Sequence, residues 1–160
     1  ENLVPGFQSV TDKGLDQAAL AGKQLVDYGC GSGILAIAAL LLGAERVAGC
    51  DLDPQALAAS RANAEANQVS ARLDLSRPGD MTGEPVDIML ANILAGPLIE
   101  LAPELAAHTR PGGDLVLSGI LVHQAEEVAA AYRRWFEMDA PAIRGDWVRL
   151  TGRRRESPHT

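Results

Sequence analysis

Apolar residues along this chain fall into runs of two kinds, and those runs alternate. Short blocks rich in Val, Ile and Leu, at Leu25-Val26, Val47–Cys50, Val86–Leu90 and Asp114–Leu121, are bounded by Gly, Pro and Asp, as strands are. Between them lie stretches of helical character. Ile34–Leu42 is apolar nearly all round and is closed by Gly43. Pro54 to about Asn67 is alanine-rich, and Leu98–His108 forms a further helix. His123–Phe136 is amphipathic, with Glu126, Glu127, Arg133 and Arg134 on its wet side. A weak third strand (Ala71–Leu75) and a polar loop (Arg77–Glu84) fill the middle. Strands at about 139–144 and 146–152, turned at Gly145-Asp146, end the pattern as a hairpin. Thr11–Ala21 reads as a short helix leading through Gly22-Lys23 into the first strand. Strands alternating with helices predict an α/β fold: a Rossmann-like, doubly wound, seven-stranded and mostly parallel sheet with a C-terminal antiparallel hairpin.

The first strand runs into Asp27-Tyr28-Gly29-Cys30-Gly31-Ser32-Gly33, with a helix following at once. Glycine is costly in backbone entropy, so a merely structural turn rarely needs three at alternate positions. Three allow a sharp bend and a ligand lying directly against the loop's N–H groups, with the positive end of the next helix aimed at the same place. Asp51, at the end of the second strand, lies 22 residues past Gly29. An acid about 20 residues beyond such glycines accepts hydrogen bonds from ribose hydroxyls in doubly wound folds. Asp53, ahead of Pro54, is suited to cap the next helix, which leaves Asp51 for the ribose; the reversed assignment is the alternative. Asp74 or Asp80 is within sequence reach of an adenine amino group, against the simpler reading of solvated loop carboxylates.

A dinucleotide fingerprint counted from Gly29 and Gly31 puts Ile34 where close helix–strand packing wants Gly or Ala. That mismatch argues against a nicotinamide cofactor. The spacing Asp27-x-Gly29-x-Gly31-x-Gly33 resembles instead the first motif of class I S-adenosylmethionine-dependent methyltransferases. At the end of the fourth strand, Asn92 carries both an amide donor and a carbonyl acceptor. Either it caps the following helix, or its carbonyl accepts a hydrogen bond from a substrate amine. Asp27 to Ala38, Asp51 to Ala56, Ala91 to Leu98 and Leu117 to Leu121 together resemble the bacterial methyltransferase family that modifies protein eleven of the large ribosomal subunit. The resemblance spans about residues 22–154. It implies cofactor contacts at Gly29, Asp51 and Asn92, with Gly31 lining the loop, S-adenosyl-L-methionine as cofactor, and lysine or N-terminal amines of a large-subunit ribosomal protein as acceptors. For catalysis the expectation is that Asn92, with the backbone around Ile93 to Ala95, orients the amine toward the methyl group. The family also carries a separate N-terminal domain and a Gly-Thr-His-Pro-Thr-Thr segment that closes over the cofactor; residues 1–20 contain nothing like either.

Composition narrows these readings. A chain of 160 residues with 47% hydrophobic content fits one globular domain, and with 4% aromatics its packing rests on Leu, Ile, Val and Ala. The organisation expected is an N-terminal extension (1–21), a catalytic domain (22–155) and a disordered tail (156–160). Residues 1–9 partly resemble a rearranged protease-site tag. A net charge of −7 gives no global basic field for nucleic acid, and the arginines at 133, 134, 144 and 153–155 read as solvated surface, with a contact to RNA or another partner as the alternative. Cys30 and Cys50, with no nearby His, read as reduced thiols at adjacent strand ends and predict no metal site. With no apolar run of transmembrane length and no signal-peptide pattern, the expectation is a cytoplasmic protein. His108 and His123 have no evident partner, and Trp147 reads as core or edge packing. Two rivals remain: a nicotinamide-dependent oxidoreductase, and a non-catalytic cofactor-binding or ribosome-docking module.

Overall fold

The computed structural model describes residues 17–156. The chain divides at Gly83/Glu84 into two compact units. The first holds α1 (Gln17–Leu20), β1 (Gln24–Tyr28), α2 (Ile34–Leu41), β2 (Arg46–Cys50), α3 (Pro54–Ala66) and β3 (Leu73–Ser76). Its strands pair in parallel, β1 with β2 and β2 with β3, and Tyr28 stands level with Cys50. Parallel neighbours need crossover connections, and α2 and α3 supply them. Leu25, Val26, Val47 and Cys50 are buried, and Ala36, Ala39 and Leu40 of α2 are buried with them. The apolar run of α2 ends in a Schellman arrangement: Gly43 N–H donates to Leu40 O and Ala44 N–H to Ala39 O. The predicted third strand is shorter, because Ser70–Arg72 forms a 3-10 turn before β3. Of the helix predicted over Thr11–Ala21, only Gln17–Leu20 lies among the described residues and is helical. The calls on residues 1–9 and 157–160 fall outside the described residues.

The second unit contains β4 (Val86–Asn92), α4 (Ala95–Glu100), α5 (Ala102–Ala107), β5 (Thr109–Leu121), α6 (Ala125–Tyr132), β6 (Phe136–Met138), β7 (Ala142–Arg144) and β8 (Trp147–Arg154). β4 and β5 are parallel; β8 runs antiparallel to β5 and takes β6 and β7 along its other side. The β7–β8 hairpin turns at Gly145-Asp146, as the sequence predicts. Val86, Ile88, Met89, Leu90 and Ala91 of β4 are all buried, the near-continuous apolar run of a strand covered on both faces.

Three boundaries differ from expectation, each for a local reason. The helix expected over Leu98–His108 is two helices meeting at Leu101, because Pro103 has no N–H to continue the ladder. The helix expected to reach Phe136 stops at Tyr132. Phe136 begins an eighth strand, and its ring packs 6.0 Å from that of Tyr132, whose hydroxyl donates to Leu98 O at 2.7 Å. β5 begins before Pro111-Gly112-Gly113 rather than after it, and its register against β4 slips between Val86 and Ile88 to accommodate that segment. The arginines expected to be solvated divide by environment. Arg133 pairs with Glu126 in the open, whereas Arg154 and Arg155 are half-buried and donate to Ala106 O and Arg133 O. Trp147 is 57% exposed at the hairpin, so it packs at an edge and not in the core.

Arg72 holds the first unit together from the 3-10 turn. Its guanidinium donates to Ala44 O at 2.6 Å and Leu40 O at 3.3 Å, satisfying carbonyls at and just beyond the C-terminal end of α2. Hydrogen bonds from a charged donor contribute about 1.5–3 kcal/mol each when well shielded, and half-burial lowers that. Arg72→Ala should therefore cost about 1–3 kcal/mol and lower the thermal midpoint by several degrees, read by circular dichroism. Arg46→Ala, which breaks only the exposed pair with Asp74, should stay within about 0.5 kcal/mol of wild type. Equal midpoints for the two variants would contradict this account of Arg72.

Candidate functional site

In the first unit the candidate site is the bend between β1 and α2. Gly29, Gly31 and Gly33 all have positive φ, at 76, 55 and 84°. Cys50 O, at the end of β2, accepts from both Gly29 N–H (2.8 Å) and Cys30 N–H (2.9 Å). Gly33 N–H turns back to Cys30 O, and Gly31 N–H donates to Asp51 Oδ2 at 2.9 Å. The N–H groups of Gly29, Cys30, Gly31 and Gly33 are thus directed to acceptors inside the protein. With these four taken, the bend has fewer N–H groups to offer than a pyrophosphate-binding loop does.

Asp51 joins three elements. Its Oδ2 holds the loop and its Oδ1 accepts from Asp53 N–H at 2.9 Å, while its own N–H donates to Ser76 O. Asp53 caps α3 by accepting from Gln55 N–H at 2.9 Å, as the sequence predicts. Each carboxylate oxygen has a second lone pair, so Asp51 can still accept from a ligand hydroxyl. Asp74 forms a bidentate pair with Arg46, and Arg46 begins β2 at the end opposite Asp51, so Asp74 sits as a surface carboxylate. Asp80 is exposed in a 3-10 turn.

Sequence reading passed over four residues of this site. Ser60 and Asn63, one helical turn apart on α3, clamp the loop from behind. Ser60 Oγ donates to Gly31 O at 2.7 Å, and Asn63 Nδ2 to Ser32 O at 2.9 Å. Gly33 fits because it has no side chain: a Cβ there would stand 3.0 Å from Ser60 Oγ, on a backbone already in the left-handed region. The spacing of two polar residues in an alanine-rich helix was the available signal. Leu52, directly after Asp51, is 80% exposed, an apolar side chain left open beside the loop.

The fourth is Asp27, at 1% exposure the most deeply buried acid described. Ala36 N–H donates to its carboxyl, and its Oδ2 finds no partner. Burial, reinforced by the Asp51 charge, pushes its pKa up to about 7. Burial also raises the Cys30 thiol to about 11, and Cys30 and Cys50 are both free and buried. Cys30 is therefore a protonated, unreactive thiol at neutral pH.

In the second unit Asn92 ends β4, exposed, and stands opposite Ser118 of β5. It does not cap the next helix, because the N-cap of α4 is Leu94. Leu94 itself is 73% exposed. His108 is half-buried and His123 exposed. A groove of about 330 Å³ between α3 and β3, lined by Arg61, Glu65 and Asp74, shares no residue with the glycine loop. Among the described residues no helix is long and apolar enough to cross a membrane, and no group of three His, Cys, Asp or Glu could hold a metal ion.

The profile of the family described as ribosomal protein L11 methyltransferase (PrmA) matches residues 10–155. The ribosomal protein L11 methyltransferase of Marinobacter nauticus is 64% identical over 143 residues, which is 89% of this chain and 48% of that protein. Its Pseudomonas aeruginosa counterpart is 58% identical over 142 residues, again 48% of that protein's length. The chain therefore spans about half the length of the curated relatives it matches. Among solved structures, the ribosomal protein L11 methylase of Lactobacillus delbrueckii subsp. bulgaricus is 32% identical with a TM-score of 0.83, covering 94% of this chain and 79% of that one. An RNA methyltransferase of Salinibacter ruber, solved with S-adenosyl-L-homocysteine, shares the fold at a TM-score of 0.75 and 18% identity, covering 98% of this chain and 95% of that one. The Rossmann-like fold class read from the sequence is that of these neighbours.

Asp27 gives a signed prediction. Below about pH 4 the carboxyl is protonated whether the chain is folded or not. Between about 4 and 7 only the folded chain keeps the proton, so this group's contribution to stability falls as pH rises through that window. Above about 7 the folded state carries the whole penalty of a few kcal/mol. Unfolding titrations of wild type and Asp27→Asn at a series of pH values should diverge across pH 4–7, with the variant gaining on wild type as pH rises. A constant difference between them would contradict a buried Asp27 that titrates near neutrality.

Proposed function

The chain belongs to the ribosomal protein L11 methyltransferase family, and on that premise we propose that it is the S-adenosylmethionine-dependent catalytic part of a protein N-methyltransferase. Residues 22–155 form that catalytic part. The acceptors are lysine or N-terminal amines of a large-subunit ribosomal protein, and the reaction belongs to the cytoplasm, where ribosomes are assembled. One observation carries the reading: Asp51, at the carboxyl end of β2, is fastened to Gly31 of a bend in which the N–H groups of Gly29, Cys30, Gly31 and Gly33 are already taken. A carboxylate suited to ribose hydroxyls beside a bend unsuited to pyrophosphate favours a nucleoside cofactor over a dinucleotide.

The residues fit S-adenosylmethionine. Gly29 and Gly31 give the bend against which it lies, Asp51 accepts from its ribose, and Leu52 offers apolar surface to its adenine. The orphaned Oδ2 of Asp27 supports the fit, because a buried acceptor lacking a donor suits the cofactor's ammonium, directly or through water. When bound, the cofactor supplies a methyl group already activated on a sulfonium. What remains for the chain is alignment and the exclusion of water. Asn92 contacts the cofactor and, with the Ile93 carbonyl, accepts N–H bonds from the substrate amine so that its lone pair faces the methyl carbon. The amine must arrive unprotonated, since an ammonium has no lone pair, and the proton it loses on methylation passes to solvent.

Isothermal titration should show S-adenosylhomocysteine binding to the chain and NAD failing to bind; the reverse would replace this reading with the oxidoreductase one. Asp51→Ala removes charged-acceptor bonds of about 1.5–3 kcal/mol each, so its affinity for S-adenosylhomocysteine should fall tenfold or more. Unchanged affinity would remove Asp51 from the cofactor site. Transfer of a labelled methyl group to ribosomal protein L11 distinguishes an enzyme from a module that only binds.

A further inference from the structure

β5 does not run straight past Asn92. Against β8, Leu117 stands opposite Leu150 and Ile120 opposite Val148, so two residues of β5, Ser118 and Gly119, face the single Arg149. This is a β-bulge, and Gly119 sits in it at φ +84°. The bulge brings the backbone of residue 119 against the two oxygens assigned above to the substrate amine. A Cβ at 119 would stand 2.9 Å from Asn92 Oδ1 and 2.9 Å from Ile93 O, closer than carbon and oxygen pack. Gly145 provides the contrast: at φ +62° it makes the hairpin turn, and a Cβ there would meet nothing within 4 Å. The two glycines share a backbone conformation, but only Gly119 is pressed against functional atoms.

We infer that Gly119 is a positioning residue for methyl transfer. Its bare backbone is the wall that sets where Asn92 Oδ1 and Ile93 O stand, and any side chain at 119 displaces that acceptor pair. The inference rests on the reading of Asn92 in the preceding section. It adds β5 to the parts of the chain that determine how an amine is presented. Since Asn92 is exposed and its amide is free to rotate about its side-chain bonds, a neighbouring surface is what fixes the direction of its oxygen.

The test compares Gly119→Ala with Gly145→Ala, which carries the same backbone penalty without the contact. In ¹⁵N-labelled protein, the side-chain amide resonances of Asn92, identified by their loss in Asn92→Ala, should shift in Gly119→Ala and stay in place in Gly145→Ala. Methyl transfer should fall about tenfold or more in Gly119→Ala, mainly in kcat, and be unchanged in Gly145→Ala. The Asn92→Ala/Gly119→Ala double variant should lose less than the product of the two single losses, because one of the two displaced acceptors, Asn92 Oδ1, is already gone. An unmoved Asn92 resonance, or losses that multiply in the double variant, overturns the inference. If Gly119→Ala does not fold, the wild-type chain decides. Nuclear Overhauser effects between the Gly119 Hα protons and the Asn92 side-chain amide support the contact, and their absence overturns it. A full rate in Asn92→Ala would instead overturn the catalytic reading of Asn92, while the resonance comparison still judges the contact.

Discussion

The two hydrogen bonds accepted by the Asp51 carboxylate set the geometry of the first unit's site. One fixes the bend after β1 and the other fixes the start of α3, so two crossovers are tied at a single side chain. The parallel register makes this possible, because it sets Tyr28 level with Cys50 and brings the ends of both strands to one height. Cys50 O then collects two N–H groups of the bend before the carboxylate collects a third. The bend is determined by β2 as much as by its own glycines. Its satisfied donors in turn limit what it can bind, as buried or bent backbone with paired N–H groups presents surface rather than charge.

Behind that fastening the protein keeps a cost it does not need for folding alone. Asp27 is sealed in with one oxygen lacking a donor and the Asp51 charge nearby. A hydrophobic residue in its place would remove the orphaned oxygen but leave Ala36 N–H without its acceptor, so the acid both fastens the start of α2 and keeps one oxygen unpartnered. Cys30, in the same bend, has the opposite character. Its thiol is held in the protonated form by burial and by the two neighbouring acids, and it fills space without offering reactivity.

Much of this was legible from the sequence where one local rule governed each residue. Pro54 after Asp53 announced a capped helix, Gly43 a helix end, and Gly145-Asp146 a hairpin, and each stands where expected. Boundaries failed where a distant partner overrode a local preference. Phe136 continues an amphipathic helical pattern, yet its pairing opposite Arg154 draws it into a strand. Asp53 was legible as the cap of α3 because a cap has a signature. The clamp by Ser60 and Asn63 was not, because a polar residue on an alanine-rich helix looks the same whether it faces water or a loop carbonyl. Asp27 was visible as a motif residue, but its burial and its orphaned oxygen follow from packing that no spacing rule encodes.

The glycines make the same point within each unit. Gly33 and Gly119 lie at positive φ, as turn-forming glycines do, and composition cannot tell them from Gly145. What separates them is what stands where a Cβ would go: Ser60 Oγ beside Gly33, Asn92 Oδ1 and Ile93 O beside Gly119. In each case a backbone without a side chain approaches a polar side chain and leaves it little choice of position. Ser60, so confined, holds the loop carbonyl of Gly31. Asn92, so confined, is left with its amide directed by the bulge in β5. Missing side chains therefore order polar groups in both units by contact, Ser60 for the loop carbonyl it holds and Asn92 for an oxygen left open to a ligand.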